Sequence, residues 1–583
     1  MKKIVKNTIL AVITFLAILI YTGNIYNGNS YNIIITSILF LLYYFYNKFD
    51  KKYDKKIRNY SLVLGGILSL CLSIGSILNC FIWDKPIKMF GFSNFFEIKN
   101  TMYSLVCFTG IYMLLYKIFC IMLDNLNKIK LFETNKKLNI KQYLIIFFTI
   151  LTGNALIFVR FYPAIMSPDS YYVINYANNF ILSDLHTFGH TWFFGAFFHL
   201  GKLLFNNLNM AVAFSVGIQV ICMTFIFTAL IKFLYERGLK KSICIMLTIF
   251  IALSPLHTRY SCTLWRDILF GATFILIGIS LIRFIEDKEI DYKNVILFII
   301  STLILMYFRN NGIYVFLFMI PFMIFILKDK RKFITILTTT LAVSYFVVKG
   351  PIFDYFGVQS TKTSESFSIP FQQLARAYVL NEEEIQDEKE FYNKFFEVDK
   401  IVKSYKPMIS DPIKSISKNE YLKNNKGEFL KNYIRIFFKY PQEYIEAYLF
   451  QTLGYWYPDT IYWATIGESK GFFEENVYSD PLTPNIYNKI LDMTISRNIP
   501  LCNLVWSVGL PFLLMIVSTG IIIYKKGFKY LLVFVPLYGL WGTIMIATPV
   551  FSELRYIYGL ICCEPLIILL PFMMKNNIKK LKK

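Results

Sequence analysis

The sequence predicts an all-α polytopic membrane protein, a bundle of about fourteen transmembrane helices with an extracytoplasmic α-rich insert. Three observations carry that prediction. The 583-residue chain is 56% hydrophobic and 17% charged, with a mean hydropathy of +0.48; a soluble chain of this length carries more charge and divides into several domains. Aromatic residues, 41 Tyr and 57 Phe among them, make up 18%, as belts at two membrane interfaces require. The Lys/Arg clusters sit in short breaks between apolar runs: Lys51, Lys52, Lys55, Lys56 and Arg58, then Lys328, Lys330, Arg331 and Lys332, then the tail ending at Lys583. That is the positive-inside pattern, so the net charge of +23 reads as topology and no nucleic-acid partner is expected.

A span takes roughly 20 apolar residues, or about 15 where its flanks reach the interface. On that rule spans fall near 7–22, 31–46, 60–83, 102–124, 142–162, 210–234, 242–256, 267–285, 294–308, 312–327, 333–350, 501–524, 529–547 and 555–574. Four parts follow: N-terminal spans 1–141, a membrane core 142–350, a polar insert 351–500, and C-terminal spans with a basic tail 501–583. The N-terminus resembles a signal peptide, with Lys2, Lys3 and Lys6 before an apolar run, but lacks a small-residue cleavage site and reads as an uncleaved first helix. None of the ten cysteines lies in the insert, and no CxxC spacing occurs, so neither a disulfide framework nor a zinc site is expected.

With Lys2, Lys3 and Lys6 inside, the Lys-rich loops 47–59, 125–141, 235–241, 286–293, 328–332 and 525–528 all become cytoplasmic, provided that 191–205 does not cross. The expectation is a multi-pass protein of the bacterial cell membrane with both termini cytoplasmic. Five segments of unusual polarity then fall outside: 163–209, 254–266, 309–312, 351–500 and 548–555. All four histidines lie in the first two. The insert reads as a small α-rich domain over the outer membrane face, with one charged helix from Glu382 to Lys403 and aromatic turns such as Tyr455 to Asp459; its Tyr/Trp content suits an interfacial contact or a sugar-stacking surface.

Within those outer segments, Pro163 and Pro168 stiffen the turn that bears Asp169, a carboxylate able to act as general base or metal ligand, or else to cap the helix beginning at Ser170. His186 and His190 would share one face of a helix; contact with a phosphate or hydroxyl suits them better than metal, since no flanking His-Glu pair is present. Arg259, Arg266 and Asp267 lie at an outer mouth, where Arg could fork onto a lipid phosphate or Arg266 and Asp267 could neutralise each other. Arg309 and Asn310 interrupt two apolar runs, which is costly unless they line a wet cavity or bind a headgroup. Glu553, Arg555 and Tyr556 begin the last span, where Arg555 could simply snorkel.

At these residues the chain resembles the GT-C superfamily of multi-spanning glycosyltransferases, and more closely bacterial membrane proteins of unassigned function thought to share that fold. The resemblance rests on Tyr162-Pro163 with Ser167-Pro168-Asp169-Ser170, Ser183-Asp184 with His186, Trp265-Arg266-Asp267, Arg309-Asn310 with Gly312, and Glu553 with Arg555-Tyr556, covering residue 142 to the C-terminus. It implies a catalytic carboxylate, Asp169, in a first large external loop whose surface helices frame the active site. The donor would be a polyprenyl-phosphate-linked sugar, the acceptor a cell-envelope glycan or lipid, and membrane lipids the surroundings. Arg266, Arg309 and Arg555 would stabilise the leaving phosphate, His186 would position a substrate, and no metal or other cofactor would be needed. Two features depart from the simplest members: four spans precede the one leading into the Asp169 loop, and the polar domain lies before the last three spans. The runner-up is a transporter or flippase for lipid-linked saccharides, but no inverted repeat is visible and the polar residues crowd the outer helix ends. A non-catalytic envelope scaffold would leave that polar clustering unexplained.

Overall fold

Long apolar runs leave the backbone one way to satisfy its polar groups away from water, and the computed structural model follows it. Among the described residues, strand-like pairing is confined to isolated bridges. The structure describes residues 2–21, 32–84, 98–134, 136–185, 187–460 and 502–574, with scattered positions between 477 and 495.

The N-terminal helices are α1 (Lys2–Tyr21), α2 (Asn32–Lys48), α3 (Lys55–Asp84) and α4 (Ile98–Asn125). Then come α5 (Ile140–Arg160), α6 (Pro168–Asn178), α7 (Phe188–Phe205), α8 (Leu208–Glu236), α9 (Lys241–Leu253), α10 (Pro255–Ser261), α11 (Arg266–Glu286), α12 (Tyr292–Phe308), α13 (Gly312–Ile326) and α14 (Arg331–Val347). Among the described residues, eight helices are long and apolar enough to cross a membrane, or nine if α9 and α10 form one span bent by 58°. The bend follows Pro255, which lacks an N–H to continue the ladder, while Ser254 Oγ accepts from the His257 N–H at 3.4 Å to restart it. Helices α12 and α13 are apolar but only 17 and 15 residues long, about 22–26 Å, short of the roughly 30 Å hydrocarbon core. Among the described residues, eight or nine of the expected fourteen spans meet that length. Helix α7, which covers 191–205, is not one of them.

The bundle has two chemically different ends. At one, the basic loops meet: the Glu133 N–H donates to the Gly238 carbonyl at 2.7 Å, Lys330 Nζ donates to the Asp287 carbonyl at 2.6 Å, and Arg237 pairs with Glu286. At the other lie α6, α7 and the first residues of α11. Helices α5 and α9 touch closely enough that a side chain at Gly153 would strike the Ala252 carbonyl, the small-residue contact by which membrane helices pack. Helix α11 is enclosed on nearly all sides by α8, α12 and the C-terminal helices.

Between the two membrane parts, residues 363–452 form a helical unit with a core of its own, including Phe371, Tyr392, Phe395, Phe429 and Tyr444. Its helices are α15 (Ser368–Leu380), α16 (Lys389–Phe395), α17 (Val398–Ser404), α18 (Asp411–Ser415), α19 (Asn419–Asn424), α20 (Lys426–Lys439) and α21 (Pro441–Thr452). The single helix expected from Glu382 to Lys403 is instead broken at Phe396, whose extended backbone bridges to Ser417 and buries its ring against Phe371. The aromatic turn is also corrected. Tyr455 and Tyr457 are buried, Tyr457 against Gly75 of α3 and Tyr455 donating to the Val550 carbonyl at 2.8 Å, so they join the insert to the bundle and offer no face for a sugar. The chain ends in α22 (Leu510–Tyr524), α23 (Val535–Ala547), α24 (Tyr558–Cys562) and α25 (Glu564–Met573).

Candidate functional site

Two turns distant in sequence are spliced together beside α6. The Ile165 N–H donates to the Cys262 carbonyl, and the Ile165 carbonyl accepts from the Leu264 N–H, both at 3.0 Å. Ser170 Oγ donates to the Leu264 carbonyl at 2.9 Å, and Trp265 Nε1 donates to Ser167 Oγ at 2.5 Å. Ser167 is the N-cap of α6, with its own N–H donating to Ser170 Oγ at 2.9 Å and Pro168 in the first helical position. Asp169 therefore stands in the first turn without being the cap, where the helix dipole favours its negative charge.

Six of the residues singled out in the sequence line one cavity of about 650 Å³: Asp169, Arg266, Arg309, Asn310, Arg555 and Tyr556. Arg555 Nη1 donates to Asp169 Oδ2 at 2.6 Å, and its guanidinium stands 5.0 Å from the Trp265 ring and 5.2 Å from Tyr556. Arg309 Nη1 pairs with Asp267 Oδ1 at 2.5 Å and lies 4.6 Å from the same tyrosine ring. Arg266 Nη1 donates to the Leu185 carbonyl at 2.8 Å. Each guanidinium has five donors, so these contacts hold the planes while leaving N–H groups for an anion. Gly312 keeps the Arg309–Asn310 turn tight, since a side chain there would strike the Leu305 carbonyl.

Other candidates lie behind or away from the cavity. Asp267 touches it only through Arg309, and Glu553 is buried beside it. Burial raises the Glu553 carboxyl to about 7 against the opposing pull of Arg555. Arg259 is buried 4.9 Å from the Phe161 ring and does not line the cavity. His190 is buried in the first turn of α7, edge-on to Phe308, and His186 lies outside the described residues.

The sequence reading missed the opposite wall. The insert contributes Thr361, Glu365, Asp411 and Lys414, with Lys414 Nζ 2.7 Å from Glu365 and 2.6 Å from Asp411. Lys349 was also missed: it pairs with Asp184 and donates to Asn310 Oδ1 at 3.0 Å, while Asn310 Nδ2 donates to the Asp184 carbonyl at 3.2 Å. A lysine ending an apolar run reads as ordinary snorkelling, and three charges among the insert's many carry no signal of their own. No curated protein and no solved structure matches the chain. Residues 148–582 match a family of unknown function (DUF6020), and the chain belongs to that family.

Proposed function

We propose that the protein is a membrane glycosyltransferase of GT-C type that moves a sugar from a polyprenyl-phosphate donor to a cell-envelope acceptor on the outer face of the membrane. The observation that supports this most directly is the meeting of one carboxylate, Asp169, with three arginines in a single cavity at one end of the bundle. A carboxylate alone would suit many reactions. Joined to Arg266, Arg309 and Arg555, it suits a hydroxyl to be activated beside a phosphate that must leave.

In the proposed reaction the acceptor hydroxyl oxygen attacks the anomeric carbon as Asp169 takes its proton. The bond from that carbon to the phosphate oxygen breaks, and its electron pair leaves with the polyprenyl phosphate. The arginines stabilise the charge growing on that phosphate, an electrostatic effect that usually dominates such catalysis. In the structure Arg555 holds Asp169, so the phosphate would compete for the same guanidinium and release the carboxylate as base. Helices α6 and α7 pack on one another beside the cavity, and in this reading they would frame the active site. Asn310, Tyr556 and Asp267 shape the arginine wall, and His190 packs edge-on against Phe308, the residue before Arg309.

The test is Asp169→Asn, assayed for sugar transfer in membranes at matched protein levels. The amide keeps shape but cannot accept the proton, so transfer should be abolished while binding of polyprenyl phosphate persists. Substantial transfer by the variant would overturn the assignment. A transporter would instead keep moving lipid-linked saccharide across vesicles with Asp169→Asn.

A further inference from the structure

A second cavity, about 480 Å³, lies far from Asp169. Arg266 and Arg283 begin and nearly end the same helix, α11, which separates the two sites by about 25 Å. Ala229 and Phe233 of α8, Leu276 and Ile279 of α11 and Leu297 of α12 give this cavity an apolar wall. Its polar lining is Asn139, Tyr143, Lys232, Glu236 and Arg283. The cavity opens at the end where the basic loops gather, with Lys136, Lys137, Lys240, Lys241, Lys288 and Lys293 in the adjoining segments.

We infer that this cleft binds an anionic phospholipid, with the phosphate held by Lys232 and Arg283 and an acyl chain along the apolar wall. Arg237 is neutralised by Glu286 and Lys136 by Glu133, whereas Lys232 and Arg283, which line the cleft itself, make no ion pair among the described residues. Lys232 Nζ instead stands 5.8 Å from the Tyr143 ring. Cations in a last helical turn also complement the helix dipole, which accounts for Arg283. It does not account for Lys232, which lies just before the last turn of its helix, nor for an apolar cleft beneath both. Basic pockets between membrane helices on the basic-loop side are where anionic headgroups bind. Glu236 at the rim sets the opposing term: it weakens the hold on any anion, so E236Q should tighten it. The inference is independent of glycosyl transfer.

The experiment uses the delipidated full-length protein, with phosphatidylglycerol, phosphatidylcholine and inorganic phosphate as probes and retained ligand counted by native mass spectrometry. Phosphatidylglycerol should be retained at least tenfold more readily than phosphatidylcholine, with inorganic phosphate competing weakly. K232Q/R283Q should erase that preference, and E236Q should strengthen it without altering the melting temperature of the lipid-free protein. L276W, which fills the apolar wall and leaves both cations, should also reduce retention. Equal retention of the two lipids, an unchanged preference in K232Q/R283Q, or phosphate competing as well as lipid would each overturn the assignment.

Discussion

Replacing Arg309 by alanine should cost stability and ligand binding for separate reasons, and the structure allows the two to be separated. Arg309 Nη1 and Asp267 Oδ1 are 2.5 Å apart, with side-chain exposures of 15% and 3%. Removing one partner of so enclosed a pair strands the other, typically at about 3–5 kcal/mol. Arg555 also attracts Asp267, which places the expected loss of Arg309→Ala at the lower end, about 3 kcal/mol. Adding Asp267→Asn should recover most of that loss, because the stranded charge is gone. Polyprenyl phosphate binding should not recover, since Arg309 lines the cavity; a lost charged hydrogen bond weakens it by about 1.5–3 kcal/mol, roughly 10- to 150-fold. Denaturation in detergent micelles reads the first quantity and equilibrium binding the second. The reasoning fails if the double variant is no more stable than Arg309→Ala, or if its affinity for polyprenyl phosphate equals that of the wild type.

Glu553 should make stability fall as pH rises. Its carboxyl is raised from 4.5 to about 7, so the folded state holds the extra proton between those values, and stability should decline by on the order of 3 kcal/mol across that window and level off above it. Melting curves at stepped pH should lose this slope in Glu553→Gln. Arg555→Lys should weaken polyprenyl phosphate binding although the charge is kept, because an ammonium cannot reproduce the fork or the stacking on Trp265; unaltered titration curves would leave Arg555 a structural partner of Asp169. For sidedness, His257 is too buried to report, whereas Tyr355, Lys423, Lys51 and Lys332 are exposed. Single cysteines at Tyr355 and Lys423 should react with an impermeant thiol reagent in intact cells, and those at Lys51 and Lys332 should not, in a background lacking Cys80 and Cys502. Labelling of Lys51→Cys would reverse the orientation.

Helices, and the gathering of the basic loops at one end, were legible because both are one-dimensional properties. Apolar run length sets the long spans α3, α8 and α11, and the spacing of Lys51, Lys240 and Lys330 marks the loops that gather at one end. Asp169, Arg266, Arg309 and Arg555 could be picked out because charge at helix ends in an apolar chain is costly without a purpose. Residue order could not say which of them share a cavity. Arg259 and Arg266 are seven positions apart, yet one packs on Phe161 and the other lines the cavity, a matter of where α10 ends and α11 begins.

What the sequence by itself determined is therefore the class of molecule and the end at which its polar chemistry collects, since both follow from transfer of side chains between water and hydrocarbon, residue by residue. The tertiary structure alone decided which groups touch: Asp169 with Arg555, Asp267 with Arg309, Asp184 with Lys349, and the insert's Lys414 across the cavity from them. It also decided that Tyr455 and Tyr457 are a buried joint and that residues 382–403 are not one helix. These outcomes depend on packing between segments tens to hundreds of residues apart, where a side chain's exposure is set by what another segment places over it and not by its own polarity.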